Sequence, residues 1–231
     1  MSRIITPPAY LSFPNIFVPR QPSEKDAAKG KKPKYQAALV FLASDDPAYN
    51  EEIKKMKMTA INVAKAKWGD KLAGMELKAL DGEHGLANFL VSDQIRVRLP
   101  WRDAPSVLTK KGYPEGALFF NASTLHKPQV VTQIAGPDGK PTVLSDESLL
   151  RAGCLVKASV DAYAYSGESN GVTFGLGNIQ YIGAGDASVI GATAGVAAVD
   201  EFSADASAVA DLGDVDGVDS DVDDGLNDLL G

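Results

Sequence analysis

Apolar and polar positions alternate along much of this chain, in short runs separated by Gly and Pro, and that rhythm predicts strands far more often than helices. The most regular run is residues 155–165. Val156, Ala158, Val160, Ala162 and Ala164 fall on one face, and Leu155, Lys157, Ser159, Asp161, Tyr163 and Tyr165 on the other. A face of small apolar side chains suits the inside of a tightly curved barrel. The opposite face sets a lysine and two tyrosines in a row, which is either a platform on which bases stack or a set of rings packed beneath the N-terminal arm. A turn over residues 167–171 leads into residues 172–182 and predicts an antiparallel hairpin, with Gly175 and Gly177 marking a bend or bulge in the second strand.

Prolines interrupt the apolar residues 3–18, as in an edge strand or wrapping arm. Residues 21–34 read as a polar loop whose Lys25, Lys29, Lys31, Lys32 and Lys34 are either simply solvated or placed on phosphates. Further strands are predicted at 35–43, 75–80, 94–101, 117–122 and 129–135. In the run 94–101, Ile95, Val97 and Leu99 oppose Arg96 and Arg98. One helix stands out, with Asp46 as N-cap, Pro47 at its first position and Gly69 just past its end. Its stripe of Ile53, Met56, Ala60, Val63 and Ala64 would cover one end of a sheet, with Trp68 packing the helix end. Residues 100–116 read as a long connection carrying Trp101, Arg102, Lys110, Lys111 and Tyr113, a mixture suited to nucleic acid.

Composition supports a mainly β class: 22 Gly and 13 Pro imply many turns. Cys154 is the sole cysteine, which excludes an internal disulfide and any multi-cysteine zinc site. Gly175-x-Gly177 lacks the third glycine of a dinucleotide fingerprint, and Gly139-Lys140 lacks the rest of a phosphate loop. His84 and His126 have no partner at metal-ligand spacing. Asp219, Asp221 and Asp223 alternate as in a calcium loop, but Asp224 and Leu230 stand where that loop needs Gly and Glu. No catalytic residue, metal site or cofactor is expected. Pro7, Pro8 and Pro14 deny the N-terminus an unbroken apolar secretion segment, and no run is long enough to span a bilayer, so no membrane partner is expected.

Charge changes the picture most. Residues 200–231 hold eleven acids and no Lys or Arg; removing these from the chain's 30 acids leaves 19 against 23 bases. The body is thus formally +4 while the whole chain is −7. A basic body joined to its own polyanion suggests a protein that binds a polyanion and must release it. The chain therefore divides into a folded domain over 1–182, a Gly- and Ala-rich flexible linker over 183–199, and an acidic disordered tail over 200–231.

Several short segments, in order, resemble the bacteriophage single-stranded DNA-binding protein family. They are Leu11-Ser12-Phe13-Pro14-Asn15-Ile16-Phe17, Tyr113-Pro114-Glu115-Gly116, Phe119-Phe120-Asn121-Ala122, Arg151-Ala152-Gly153-Cys154, Tyr163-Ala164-Tyr165, and Gly171-Val172 leading to Gly175-Leu176 and Ile179-Gln180. The resemblance implies an OB-fold: a five-stranded Greek-key barrel, here with one covering helix and extended loops. It implies a non-enzymatic protein that coats single-stranded DNA in phage replication, recombination and repair, in the host cell cytoplasm. The acidic tail would recruit the polymerase and the helicase or primase. A homodimer is allowed.

On this reading Lys31, Lys32, Lys34, Arg96, Arg98, Arg102, Lys110, Lys111 and Lys157 track phosphates while Trp101, Tyr113, Tyr163 and Tyr165 stack bases. Partner contacts fall to Asp214, Asp216, Asp219, Asp221, Asp223, Asp224 and Asp228, with Leu226, Leu229 and Leu230 standing where such tails often end in an aromatic residue. The rival reading is a structural or assembly protein of the virion that uses the same barrel for protein contacts.

Overall fold

The computed structural model of the protein describes residues 2–81 and 85–191. Its strands, in chain order, are β1 (Ser2–Ile5), β2 (Ala9–Arg20), β3 (Lys34–Phe41), β4 (Glu76–Leu80), β5 (Ala87–Val91) and β6 (Arg96–Arg98). They continue with β7 (Trp101–Arg102), β8 (Leu118–Thr124), β9 (Val130–Ala135), β10 (Pro141–Val143), β11 (Leu155–Tyr165) and β12 (Asn170–Gly183). Among the described residues three α-helices are interleaved: α1 (Glu24–Ala28), α2 (Pro47–Trp68) and α3 (Pro105–Lys111). The predicted acidic tail and residues 192–199 of the predicted linker lie outside the described residues, as does His84.

Five of the strands close on themselves. β2 pairs β3, β3 pairs β8, β8 pairs β12, β12 pairs β11, and β11 returns to β2. All of these pairings are antiparallel except β8 with β12, which run parallel. The ring is an OB-like β fold, as the family resemblance implies. The remaining strands decorate it: β1 adds to β11, β7 adds to β8, β6 extends from β12 and leads to β5 and β4, and the β9–β10 hairpin docks on the far half of β12.

Alternation decides which side chains fill the ring. Leu11, Ala37, Leu39, Phe41, Phe120, Ala122, Val156, Ala158, Val160, Phe174 and Leu176 share one core. Phe120 is its hub, with ring centroids 5.4 Å from Phe41 and 4.6 Å from Phe174. The small residues of β11 permit the tight closure that larger ones would block. The predicted bulge is present. Ala158 faces Ile179 while Val160 faces Leu176, so Ser159 spans the extra residue, its Oγ accepting from the Asn178 amide at 2.7 Å. Helix α2 has the predicted ends: Asp46 accepts from the Ala48 amide at 2.8 Å, and Gly69 follows the last turn with φ of 46°. Met56, Ala60 and Ala64 on its buried face join the ring's core. Cys154 sits in the same core, where burial pushes its thiol up to about 11, so it is a packed apolar group.

Four expectations change. β5 was not predicted, because Ala87, Asn88, Phe89 and Leu90 are all buried and show no alternation. The polar loop 21–34 contains α1, capped by the Ser23 hydroxyl, and the long connection 100–116 contains β7 and α3. Trp101, predicted to be exposed, is 1% accessible and belongs to the main core, because β7 alternates it inward and Arg102 outward. Last, the folded body continues past Gly183. Asp186 caps a short 3-10 turn, Ala187–Ile190, whose Ile190 is buried.

Ile190 belongs to a second, smaller core with Val40, Val107, Leu108, Tyr113, Ala117 and Phe119. Val40 and Phe119 are paired across β3 and β8 and point away from the ring's interior, so this core lies on the sheet's outer face and seats α3 there. Gly153 (φ 89°) lets the terminal turn approach, since a Cβ there would collide with Ala187. Gly30 (φ 74°) has the same handedness but open space around it. In urea unfolding, Gly30→Ala is expected to cost about 1 kcal/mol from backbone strain alone, and Gly153→Ala about 1–3 kcal/mol more through the added collision. Equal losses would show that the turn does not rest on residue 153.

Candidate nucleic-acid interface

The outer faces of β3, β8 and β12 form the floor of a groove. Gln36, Asn121, Ser123 and Thr173 line it, each alternating with a side chain that fills the core. Four adjoining recesses make it continuous. A recess of about 360 Å³, bounded by Arg20, Lys31, Lys32 and Lys34, shares Arg20, Gln36 and Ser123 with a central one of about 400 Å³. The central recess shares Asn121 and Thr173 with a narrow one of about 180 Å³ holding Arg98, Arg102 and Tyr165. It shares Lys111 and Asn121 with a wider one of about 620 Å³ that adds Lys110. Asn121 stands where three of these meet.

Among the described residues, eight cationic side chains (Arg20, Lys31, Lys32, Lys34, Arg98, Arg102, Lys110, Lys111) and two acids (Asp26, Asp81) line the groove. Asp26 is held by Lys31 at 2.7 Å, which with Ser23 keeps its carboxyl below the usual range. Among the described residues, no ion pair engages Arg20, Lys32, Lys34, Arg98, Arg102, Lys110 or Lys111. Unneutralised cations at this density make a positive potential that a polyanion would relieve.

The lysines of α3 are placed from below. Tyr113, predicted to stack bases, is 5% accessible; its ring meets Phe119 edge-on at 5.0 Å and its hydroxyl donates to Ser12 Oγ at 3.0 Å. Burial pushes its pKa up, opposed by the Ser12 hydrogen bond. Gly112 in the left-handed region ends α3, and Tyr113 then bolts the helix end to β2, leaving Lys110 and Lys111 over the groove. Tyr113 therefore positions cations and offers no face to a base.

A family model describing the Enterobacter phage Enc34 ssDNA-binding protein matches residues 2–212. The chain belongs to the Enc34 ssDNA-binding protein family. Protein p50 of Acyrthosiphon pisum secondary endosymbiont phage 1 is 31% identical to it over 196 residues, covering 83% of this chain and 88% of that protein. Among solved structures, a C-terminal truncation of the bacteriophage Enc34 single-stranded DNA-binding protein matches with a TM-score of 0.52 at 16% identity, over 78% of this chain and 85% of that one. The Enc34 protein in complex with ssDNA matches with a TM-score of 0.45 at 15% identity, over the same shares of the two chains.

In this Enc34-family chain the aromatic surface differs from the predicted one. Tyr165 lines the narrow recess, its ring lying across Gly171, where a Cβ would collide with the phenol. Tyr163 is 44% exposed, rests 3.2 Å from the Cβ position of Gly175, and pairs with Thr173 at the groove floor. Both tyrosines thus lie on glycine backbone of β12. Phe13 joins them. A bulge in β2, where Ser12 faces Ala38 and Asn15 faces Gln36, throws Phe13 into the groove at φ of 48° and 62% exposure. That φ is rare for a bulky residue and marks stored strain. The Asn15 side-chain amide donates to the Phe13 carbonyl at 3.1 Å, and Lys111 Nζ stands 5.6 Å from its ring.

Two predicted cations fall elsewhere. Arg96 lies over the Phe89 ring at 5.1 Å, and Lys157 lines a separate recess with Arg3, Ser159 and Gln180. The sequence pattern gives no binding role to Phe13, Arg20, Gln36, Asn121 or Thr173, although Phe13 and Asn121 fall within the segments that carry the family resemblance. The polar residues among them read there as ordinary outward strand positions. If Tyr113 is the bolt described, Tyr113→Phe should lower unfolding stability by about 1 kcal/mol. A Ser12→Ala, Tyr113→Phe double variant should lose little more than either single one in chemical denaturation.

Proposed function

We propose that this chain is a non-enzymatic protein that coats single-stranded DNA with little regard to base sequence. One observation carries the reading: an unneutralised cationic groove, continuous across the outer face of the barrel, with Phe13, Tyr163 and Tyr165 in or beside it. Phosphates would lie along Arg20, Lys31, Lys32, Lys34, Arg98, Arg102, Lys110 and Lys111, and bases would turn onto the exposed rings. Stacking accepts any base, since each has a π-face, which favours a coating role over sequence readout. Family membership favours DNA over the contacts of a virion structural protein. The setting would be phage replication, recombination and repair in the host cell cytoplasm, with the tail carrying contacts to polymerase and to helicase or primase.

The tail's second role is competition. Gly191, the last described residue, packs against Gly112, directly after Lys111, at one wall of the groove. Eleven acids tethered from that point would face the cations at an effective concentration of roughly millimolar. DNA would displace them and free them for partners.

Trp101 is buried, so intrinsic fluorescence is a poor reporter, and anisotropy of labelled oligo-dT is the better assay. Binding is expected to weaken steeply with salt, with a logarithmic slope of about −0.7 per neutralised phosphate. Phe13→Ala and Tyr163→Ala should each weaken binding by about 1–3 kcal/mol with the melting temperature held. Loss of stability without loss of affinity would return these rings to a packing role. Truncation after residue 199 should tighten binding at low salt and leave it little changed at high salt; unaltered low-salt affinity would remove the competition.

A further inference from the structure

The narrow recess differs from the rest of the groove in kind as well as size. Arg98 and Arg102 share it with the phenol of Tyr165, the amide of Asn121 and the hydroxyl of Thr173, and among the described residues no carboxylate lines it. One guanidinium nitrogen of Arg98, Nη2, is fully buried with no hydrogen-bond acceptor among the described residues. Burial, and then the nearness of Arg98, lower the pKa of Arg102. Two like charges held together in a part-buried pocket, one with an unmet donor, carry an uncompensated electrostatic cost. Elsewhere on this protein such costs are met by carboxylates, as where Lys57 reaches Asp103 at 3.3 Å. Here the complement is missing.

We infer that this recess is a seat for one tetrahedral oxyanion, a phosphate group clamped between the Arg98 and Arg102 guanidiniums. The forked donors of arginine match the oxygens of a phosphate, and Tyr165, Asn121 and Thr173 supply neutral donors around them. At about 180 Å³ the recess is half the size of its neighbours or less, so it suits a phosphate group more than a nucleoside. A second guanidinium beside the first argues against a neutral base edge as occupant. The phosphate comes either from the DNA backbone, which rests on the DNA-binding reading above, or from free inorganic phosphate, which does not. In the first case the strand is fixed at one phosphate while the rest of the groove holds it loosely.

The test uses the full chain at constant ionic strength, exchanging chloride for low-millimolar inorganic phosphate. A saturable rise in melting temperature is expected for the wild type and is expected to be absent in Arg98→Lys and Arg102→Lys. These variants keep the charge but lose the fork. No saturable rise in the wild type, or the same rise in both variants, overturns the seat. In a second arm, phosphate should displace labelled oligo-dT beyond the effect of matched chloride, and that excess should vanish in the lysine variants. Each variant should bind oligo-dT about tenfold more weakly while its salt slope stays that of the wild type. Should oligo-dT bind normally with no phosphate response in either arm, the seat fails and the DNA reading stands. Should phosphate raise the melting temperature while oligo-dT does not bind, the seat stands as a free-anion site and the DNA reading fails.

Discussion

The parallel contact between β8 and β12 is what turns a twisted sheet into a barrel. It is short, with Phe174 beside Ala122 and Gly175 beside Ser123 in register. Parallel neighbours cannot be joined by a hairpin, so the chain must travel through β9, β10 and β11 before it returns. Everything functional follows from that closure. On the inside it brings Phe174 onto Phe120 and completes the core; on the outside it brings Thr173 within reach of Asn121, where the recesses of the groove converge.

The tyrosines show how the hairpin serves both sides at once. β11 places small residues inward so that the ring can close, and its outward positions are then free to carry large rings. β12 answers with glycines at 171 and 175, and the rings lie across the bare backbone. Tyr163 is left exposed there, while Tyr165 is half-buried in the narrow recess. In the sequence, Gly171 reads as the end of a turn and Gly175 as the mark of a bend or bulge.

Local signals were legible and directional ones were not. Helix α2 agrees with its predicted ends because Asp46, Pro47 and Gly69 act within one turn of themselves. β11 agrees because eleven residues of unbroken alternation leave one solution. Trp101 and Tyr113 failed for a shared reason: composition announces an aromatic and cationic segment without saying which way each ring points, and both rings turned inward while Arg102 and the α3 lysines turned out. The phase of Trp101 against Arg102 held that information, but the strand is two residues long. Phe13 was hidden by the bulge, which breaks the period of two on which any inside-or-outside assignment depends. The recess at Arg98 and Arg102 needed the fold itself, since β6 meets β7, β8 and the end of the β11–β12 hairpin only in three dimensions.

The second core is small and stands apart from the first. Val107, Leu108, Tyr113 and Ile190 are anchored to the barrel through Val40 and Phe119 and through the Tyr113 hydroxyl on Ser12, with the sheet between them and the interior. Helix α3 and the closing turn at 187–190 therefore form one detachable plate on a rigid drum. Prising up either edge exposes the same few apolar side chains, so the two segments lift together and at less cost than breaching the ring. The wall of the groove that carries Lys110 and Lys111 is consequently more yielding than the barrel floor, and α1 across from it, which buries none of its residues, is held by less still.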